Sequence, residues 1–173
     1  MKILGIDPGK DGFLCLLSNG DAPQFWPTPT VRIGKGASQK RDYNVAAMRR
    51  IIINCSPDCV VLEKQQAMQG PHGRKQGVAT TGQIMYGYGL WLGLVAGIGL
   101  PLQTCHPRTW QALILKDVQG VDTKARSIIA AGRLFPTVDL RATDRCRTPH
   151  NGKADALLLA YWGKIAGMFC EAR

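Results

Sequence analysis

The chain has 173 residues, enough for one domain with a substantial hydrophobic core but not for two comfortable ones, so we treat residues 1–173 as a single domain. Hydrophobic residues make up 45% and charged residues 20%, the ordinary balance of a globular protein. Twenty-two Lys and Arg against 12 Asp and Glu give a formal net charge of +10, which favours nucleic acid as partner and, second, an anionic membrane surface.

The first half of the chain predicts three strands and one helix. Residues 2–7 and 12–17 are apolar runs joined by a Gly- and Pro-rich turn, and Gln24–Pro27 is a third strand. Residues 28–41 are expected to form a basic loop with Gly, Pro and Ser. A helix is expected to follow as far as residue 53, beginning at residue 42 or 44 and capped by the polar residue there.

The second half alternates strand and helix. Cys59–Glu63 is a short buried strand, and residues 64–77 form a polar, basic loop. An uncharged helix then runs to about Ala96, before a strand at Leu102–Cys105. Three more helices are expected: from His106-Pro107 with Trp110 and Leu113 on one face, over Thr123–Leu134, and from about Gly152. This order indicates an α/β layered domain with a mixed sheet.

The uncharged segment at residues 84–102 is about long enough to span a bilayer. Its many glycines, a Gly-Leu-Pro break and the lack of a second span argue against a membrane segment. Gly89, Gly93 and Gly97 recur every four residues and therefore share one helix face, which favours close packing on a sheet or a partner helix.

The six cysteines indicate neither a zinc site nor a disulfide framework. Only Cys55 and Cys59 are close in sequence, and no second pair completes a tetrahedral site. Since no signal peptide precedes the first strand, free thiols in a reducing compartment are expected.

Three acids are the candidates for chemistry. Asp7 and Glu63 each end an apolar strand, where open α/β sheets place their sites, and Asp155 lies in the first turn of the last helix. Each alone is equally compatible with a turn or edge residue. Converging carboxylates without Cys or a His pair suit Mg²⁺ or Mn²⁺. In a chain this basic, the expected reaction is phosphodiester hydrolysis with two metal ions roughly 4 Å apart.

Four motifs occur in order: GIDPG at 5–9, VVLEK at 60–64, HPRTWQ at 106–111 and GKADALLLA at 152–160. Together they resemble the RuvC-type Holliday junction resolvases of the ribonuclease H-like superfamily. The resemblance is greatest to the branch with plastid and phage members, whose central part carries a GYGLW-like stretch as residues 87–91 do.

The resemblance implies a ribonuclease H-like α/β fold with a mixed five-stranded sheet flanked by helices. It also implies a homodimer that nicks two opposing strands of a four-way DNA junction with Mg²⁺, for which Mn²⁺ can substitute. Asp7, Glu63 and Asp155 match the metal-ligand positions. The uncharged helix corresponds to the family's dimer-interface region, which gives the glycine face a use.

The loop after Glu63 would face the junction centre. The resemblance places His72, Arg74 and Lys75 near phosphates and Met68 as an apolar wedge between bases. Arg108, within HPRTWQ, is also expected to bind DNA.

Other polar residues allow two interpretations. Lys35, Lys40 and Arg41 form either an arm that tracks phosphates or a solvated loop. Asp11 is expected as a turn residue, and Lys124 and Arg126 as a solvated helix face. Trp91 and Trp110 are expected in the core.

The start of the last helix departs from the wider family, whose helix carries two acids one turn apart. Counting back from Asp155, those places are Gly152 and Asn151, which supply no second acid. Asn151 is either a fourth ligand position, natural or an engineered replacement of aspartate, or simply the helix N-cap. His150 is a candidate water-orienting base. Lys153 would contact the scissile phosphate or pair with a carboxylate.

Two functions stay open at this point. One is a junction-resolving endonuclease, and the other is a nucleic-acid-binding protein of the same fold with weakened or lost catalysis. An actin-like phosphotransferase built on the Asp7 loop lacks room for a second lobe. The expected compartment is the cytoplasm or nucleoid of a bacterium or phage host, or a plastid or mitochondrion.

Overall fold

The structure, a computed structural model, describes residues 1–65 and 77–167. The strands are β1 (Lys2–Ile6), β2 (Phe13–Ser18), β3 (Gln24–Pro27), β4 (Thr30–Ile33), β5 (Lys40–Tyr43), β6 (Cys59–Glu63) and β7 (Leu102–Cys105). The helices are α1 (Val45–Cys55), α2 (Val78–Ile98), α3 (Pro107–Ile114), α4 (Thr123–Leu134) and α5 (Asn151–Ile165), with a short 3₁₀ turn at Gly36–Ser38.

Five strands form one mixed sheet in the order β3-β2-β1-β6-β7. The strands β1, β2 and β3 are antiparallel neighbours, whereas β1, β6 and β7 run parallel. Parallel neighbours need a crossover connection, and the helices α1 and α2 provide these crossovers. The sequence prediction of a mixed five-stranded sheet flanked by helices is confirmed.

Both faces of the sheet are buried. On one face, Leu4, Ile6 and Leu62 pack with α1 and α2 around Trp91, which is fully buried as predicted. On the other face, α3, α4 and α5 pack with Trp110 as a fully buried centre. Apolar strands without polar alternation are expected when helices cover both sides of a sheet.

Helix α5 lies closely against the sheet because Gly5 in β1 has no side chain. A Cβ at Gly5 would collide with the backbone carbonyl of Ala156 and lie 2.6 Å from the amide of Ala160. This approach brings the N-terminal end of α5 over the edge at which β1 and β6 end.

Residues 28–41 were expected to be a loop, and this expectation is wrong. They contain the antiparallel ribbon β4–β5, in which Thr30 pairs with Tyr43 and Ile33 with Lys40. We call Thr30–Tyr43 the basic hairpin. Neither strand buries alternate residues against a core, since Val31 and Ile33 are 42% and 49% exposed, and the polar–apolar alternation in the sequence is limited to the four residues of β4.

The helix limits follow recognisable signals. Asn44 caps α1 as one of the two predicted residues, because its Oδ1 accepts a hydrogen bond of 3.1 Å from the Ala47 amide. The helix α2 ends at Ile98, two residues beyond the predicted end at Ala96, and its C-cap Gly99 lies in the left-handed region at φ +78°. On α3 the predicted apolar face is wrong in part, because Leu113 is 56% exposed.

The open face of α2 contains the three glycines at four-residue spacing. At Gly89, Gly93 and Gly97 a Cβ would meet no atom within 4 Å among the described residues. Within residues 1–65 and 77–167 no helix is long and apolar enough to cross a bilayer. The five cysteines that this part of the chain contains are free thiols.

Candidate active site

Asp7 and Glu63 leave neighbouring parallel strands at the same edge of the sheet. Ile6 pairs with Leu62 in the β1–β6 ladder, so the next residue of each strand is an acid. Both residues are partly buried. The sequence left open whether the two acid-terminated strands are neighbours, and the β1–β6 pairing shows that they are.

The last helix approaches the same edge from above. A Cβ at Gly152, in the first turn of α5, would lie only 2.8 Å from the Oδ2 atom of Asp7. Asp155, one turn further along α5, lines a cleft of about 320 Å³ together with Glu63. The three predicted acids thus lie around one cleft and the turn beside it.

Glu63 is held by two donors. The indole Nε1 of Trp110 donates to Glu63 Oε1 at 3.0 Å, and Gln65 Nε2 donates to Oε2 at 3.1 Å. Trp110 is buried as predicted, but its polar edge also orients a carboxylate, which the surrounding sequence does not reveal.

Asp155 has a polar environment from α4 and α5. Hydrogen bonds from Ser127 and Asn151 and the charge of Lys124 each lower the pKa of Asp155 against the larger effect of burial. Ser127 is 1% exposed and lines the cleft with Lys124. The Oδ1 atom of Asp155 is buried without a hydrogen-bond partner in the described part of the chain.

Burial disfavours the charged form of all three acids, and repulsion by a neighbouring acid adds to it at Asp7 and Glu63. Burial, followed by the charges of Glu63 and Asp155, raises the pKa of Asp7 to about 8. Burial, with the Asp155 charge adding to it, raises the pKa of Glu63 to about 7 despite the Trp110 hydrogen bond. Burial likewise raises the pKa of Asp155 to about 6. Such coupled carboxylates mark a functional-site candidate.

No ion pair compensates these acids within residues 1–65 and 77–167, although the protein carries a net charge of +10. An all-oxygen donor set with one orphaned, buried carboxylate oxygen fits a hard divalent cation chemically. In this part of the chain, however, no three His, Cys, Asp or Glu side chains are arranged closely enough to hold a metal ion. Ligation by these residues therefore stays a prediction.

His150 and Asn151 lie at the start of α5. His150 occupies the N-cap position without a side-chain cap, and Asn151 is the first helical residue, so the alternative of Asn151 as N-cap is wrong. The His150 ring packs against Phe13 at a centroid distance of 4.9 Å, and its Cε1 lies 3.3 Å from the Cβ position above Gly152. Its Nδ1 is buried without a partner among the described residues. Both side chains therefore lie beside Asp7 and Asp155.

Lys153 points elsewhere. Its Nζ donates to the carbonyl of Arg141 at 3.0 Å and lies 4.7 Å from the centroid of the Phe25 ring. Residues two positions apart do not share a helix face, so Lys153 and Asp155 diverge. Lys153 was predicted either to contact the scissile phosphate or to pair with a carboxylate. This geometry supports neither contact.

The predicted DNA-binding residues fall in three places. Lys35, Lys40 and Arg41 are exposed on the basic hairpin, and Arg108 is exposed in the first turn of α3. Arg41 also pairs with Asp11 at 2.6 Å. Four predicted residues lie outside the described residues: Met68, His72, Arg74 and Lys75.

Sequence reasoning missed residues that α4 brings to the cleft. Lys124 is exposed, as expected, and its position also lines the cleft, which was not expected. Arg126 was also expected in solvent, but its guanidinium donates to the carbonyls of Val118 and Leu115 and so fastens the loop after α3. The signal was weak because contacts between α4 and α5 are not encoded by spacing along either helix.

The five-stranded mixed sheet with helices on both faces defines an α/β protein of the ribonuclease H-like fold. The chain is similar to a Thermus thermophilus RuvC structure, with 17% identity and a TM-score of 0.53 over 96% of this chain and 97% of that chain. It is also similar to T. thermophilus RuvC in complex with a Holliday junction substrate, with 16% identity and a TM-score of 0.57 over 100% of this chain and 98% of that chain.

No protein-family model matches the sequence, and no curated protein matches it. At 16% and 17% identity the two structural similarities show the fold, and the function is argued below from the site itself.

Proposed function

We propose that the protein is a structure-selective DNA endonuclease that resolves four-way junctions by symmetrical, Mg²⁺-dependent nicking of two strands, with Mn²⁺ as a substitute. The observation that carries the proposal is the position of three acids at one edge of the sheet: Glu63 and Asp155 line one cleft, and Asp7 follows the neighbouring strand β1. They form no ion pair among the described residues of a chain with net charge +10. Uncompensated acids that repel one another are stabilised by a cation.

Asp7, Glu63 and Asp155 would hold the cation, and the Asn151 carbonyl oxygen would be a fourth, uncharged donor. When bound, a divalent ion polarises the phosphodiester and lowers the pKa of an attacking water. The chain's own groups set the geometry. Trp110 and Gln65 fix Glu63, whereas the hydrogen bonds from Ser127 and Asn151 fix Asp155.

Phosphate binding would fall to the exposed cations. The basic hairpin carries Lys35, Lys40 and Arg41 next to the turn that follows Asp7, and Arg108 lies on α3. The fold that this chain shares with T. thermophilus RuvC, a protein solved with a Holliday junction substrate, supports a junction as the DNA form.

Two active sites are needed for two nicks. We propose a homodimer through the open face of α2, where a Cβ at Gly89, Gly93 or Gly97 meets no described atom within 4 Å. Small residues on one helix face let a second helix approach closely. With this function we propose that the protein belongs to the branch of resolvases with plastid and phage members. We also propose a DNA-containing compartment as its location.

A second function has one observation in its favour. Asn151 supplies an amide where the wider family carries an acid, and the described carboxylates are not close enough to hold a metal ion as they stand. A junction-binding protein with weakened or lost catalysis would show both features.

The experiment is a nicking assay on a synthetic four-way junction in Mg²⁺, with Asp7→Asn as a control for contaminating nucleases. Symmetrical nicks in opposing strands support the endonuclease. Tight binding without nicks supports the second function. Equal cutting of a plain duplex would contradict the assignment as a resolvase.

A further inference from the structure

The basic hairpin is attached to the turn that carries Asp7 through Tyr43. Tyr43 ends β5 with only 7% exposure, and its hydroxyl donates to the carbonyl of Pro8 at 3.2 Å. Pro8 directly follows Asp7. The last residue of the hairpin therefore bonds to the backbone next to a catalytic carboxylate.

Helix α2 is shaped to receive Tyr43. A Cβ at Gly87 would overlap the Tyr43 hydroxyl and lie 2.5 Å from its Cζ atom, so only glycine admits the ring at this depth. The ring also meets Tyr86 edge-on at a centroid distance of 6.0 Å. Tyr43 is thus held between the Asp7 turn and α2.

Lys10 makes the same connection from the turn itself. Its ammonium donates to the Arg41 carbonyl at 2.8 Å and to Gln83 Oε1 at 3.0 Å, and it lies 3.6 Å from Asp42 Oδ1. Two of the three ammonium donors thus make hydrogen bonds, and Asp42 adds an ion pair. The three partners belong to β5 and α2.

Hydrogen bonds tie the turn between β1 and β2 together. The Asp7 amide bonds to the Phe13 carbonyl at 3.0 Å, and the Gly12 amide bonds to the Gly9 carbonyl at 2.9 Å. The Gly9 amide in turn donates to Asp7 Oδ1 at 3.4 Å. A displacement of Pro8 or Lys10 is therefore passed on to the Asp7 carboxylate.

We infer that Tyr43 and Lys10 are positioning residues that couple occupation of the basic hairpin by DNA to the placement of Asp7. The inference rests on the proposed function, since it needs DNA on the hairpin and a cation at Asp7. A DNA strand that fixes the hairpin fixes Tyr43, and through the Pro8 carbonyl it fixes the turn. Junction binding and cation binding then strengthen each other by the same factor.

The test measures the factor by which cation binding strengthens junction binding, and it does not require nicking. The affinity for a fluorescent four-way junction is measured by anisotropy in EDTA and in Ca²⁺, which occupies oxygen-ligand sites. For the unaltered protein we expect Ca²⁺ to tighten junction binding by about fivefold or more, and for Tyr43→Phe we expect that ratio to fall toward one. Lys10→Met provides a second variant with the same expected loss.

Tyr161→Phe is the matched control. This tyrosine lies on α5 with its ring edge-on to Phe135 at 5.6 Å, ten residues beyond Asn151. It should keep the full ratio, and circular dichroism checks that all variants are folded.

The outcomes distinguish failure of this inference from failure of the proposed function. A variant whose affinity falls equally in EDTA and in Ca²⁺ would show that Tyr43 only supports the hairpin, and the inference would be wrong. The same holds if the unaltered protein binds the junction equally well with and without Ca²⁺. Failure of the unaltered protein to bind any junction would instead contradict the proposed function.

Discussion

The Oδ2 atom of Asp7 lies so near Gly152 that a Cβ at this residue would be only 2.8 Å from it. The absence of a side chain at Gly152 therefore gives the Asp7 carboxylate the room it occupies. We expect Gly152→Ala to displace Asp7 and to lower metal-dependent nicking by about 10- to 100-fold, the usual range for disturbed support of a metal ligand. Single-turnover nicking at saturating protein measures this.

Gly132→Ala is the control for the change of glycine to alanine in a helix. A Cβ at Gly132 in α4 meets no described atom within 4 Å. It should leave nicking unchanged and raise the free energy of unfolding by about 1 kcal/mol. Equal nicking rates in both variants would show that Asp7 tolerates a side chain at position 152.

The hydrogen bond from Trp110 to Glu63 should affect the pH dependence of nicking. It lowers the pKa of Glu63 against the effect of burial, so Trp110→Phe should raise that pKa further. Nicking should then fall more at pH 6 than at pH 8.5, and the acid limb of the pH–rate profile should move to higher pH. A parallel downward displacement of the whole profile would argue against this role.

Trp91→Phe is the matched variant for stability. Trp91 and Trp110 are both fully buried, but the Nε1 of Trp91 has no hydrogen-bond partner in the described part of the chain. Both variants lose the same ring volume, but only Trp110→Phe also loses a hydrogen bond. Urea unfolding should show Trp110→Phe to be less stable by about 1 kcal/mol.

The acids make the stability of the cation-free protein depend on pH. The pKa of Asp7 is raised from 3.8 to about 8 in the folded state. Its stabilising contribution is therefore complete below pH 3.8 and is lost as the pH rises toward 8, because the folded state keeps a proton that the unfolded state releases. Glu63 and Asp155 contribute in the same direction up to about pH 7 and pH 6.

In EDTA we therefore expect Tm to decrease from pH 5 to pH 8.5, and Mg²⁺ to restore it at pH 8.5 more than at pH 5. Asp7→Asn should flatten this dependence, since the amide does not titrate. A Tm that is independent of pH in EDTA, or a Mg²⁺ effect that is equal at both pH values, would contradict the picture of three coupled carboxylates.

Asn151→Asp tests the fourth ligand position with two independent measurements. In the cation-free protein, the new carboxylate replaces a hydrogen bond to Asp155 by repulsion, so Tm at pH 8 should fall. In Mg²⁺, nicking should rise by about tenfold or more if position 151 holds the cation. Asn151→Ala is the control, and an unchanged nicking rate in Asn151→Asp would assign Asn151 to the orientation of Asp155 alone.

The glycine face of α2 predicts the oligomeric state. A leucine at Gly93 has free space in the monomer, so Gly93→Leu should fold but separate the proposed homodimer into monomers. Gly132→Leu places the same residue at an equally open glycine of α4 and should remain dimeric. Light scattering coupled to size exclusion measures the mass of each, and a dimeric Gly93→Leu would exclude this face.

Much of the fold could be predicted because burial leaves a pattern in the sequence. Apolar strands that end on Asp7 and Glu63 predicted the edge of the sheet, and the register of β1 and β6 confirms that the two acids leave neighbouring strands. The basic hairpin was not predicted, because its strands have only four residues each: β4 alternates polar and apolar residues over Thr30–Ile33, but β5 at Lys40–Tyr43 does not.

The surroundings of the candidate site were less predictable than its acids. Ser127 and Lys124 reach the cleft through the packing of α4 on α5, which no spacing within either helix encodes. The direction of Lys153 depends on Phe25 and on the Arg141 carbonyl, both distant in sequence. Position along a helix limits which face a side chain occupies, but its partners come from the tertiary fold.

Asp7 follows the first strand, Glu63 ends the sixth, and Asp155 lies on the last helix. The carboxylates meet only after β1 has paired with a strand some 55 residues away and α5 has docked on both. Such non-local pairings close late in folding because their loop-closure entropy must first be overcome. A chain whose helix α5 has not yet left the ribosome thus cannot bring these three acids to one edge of the sheet.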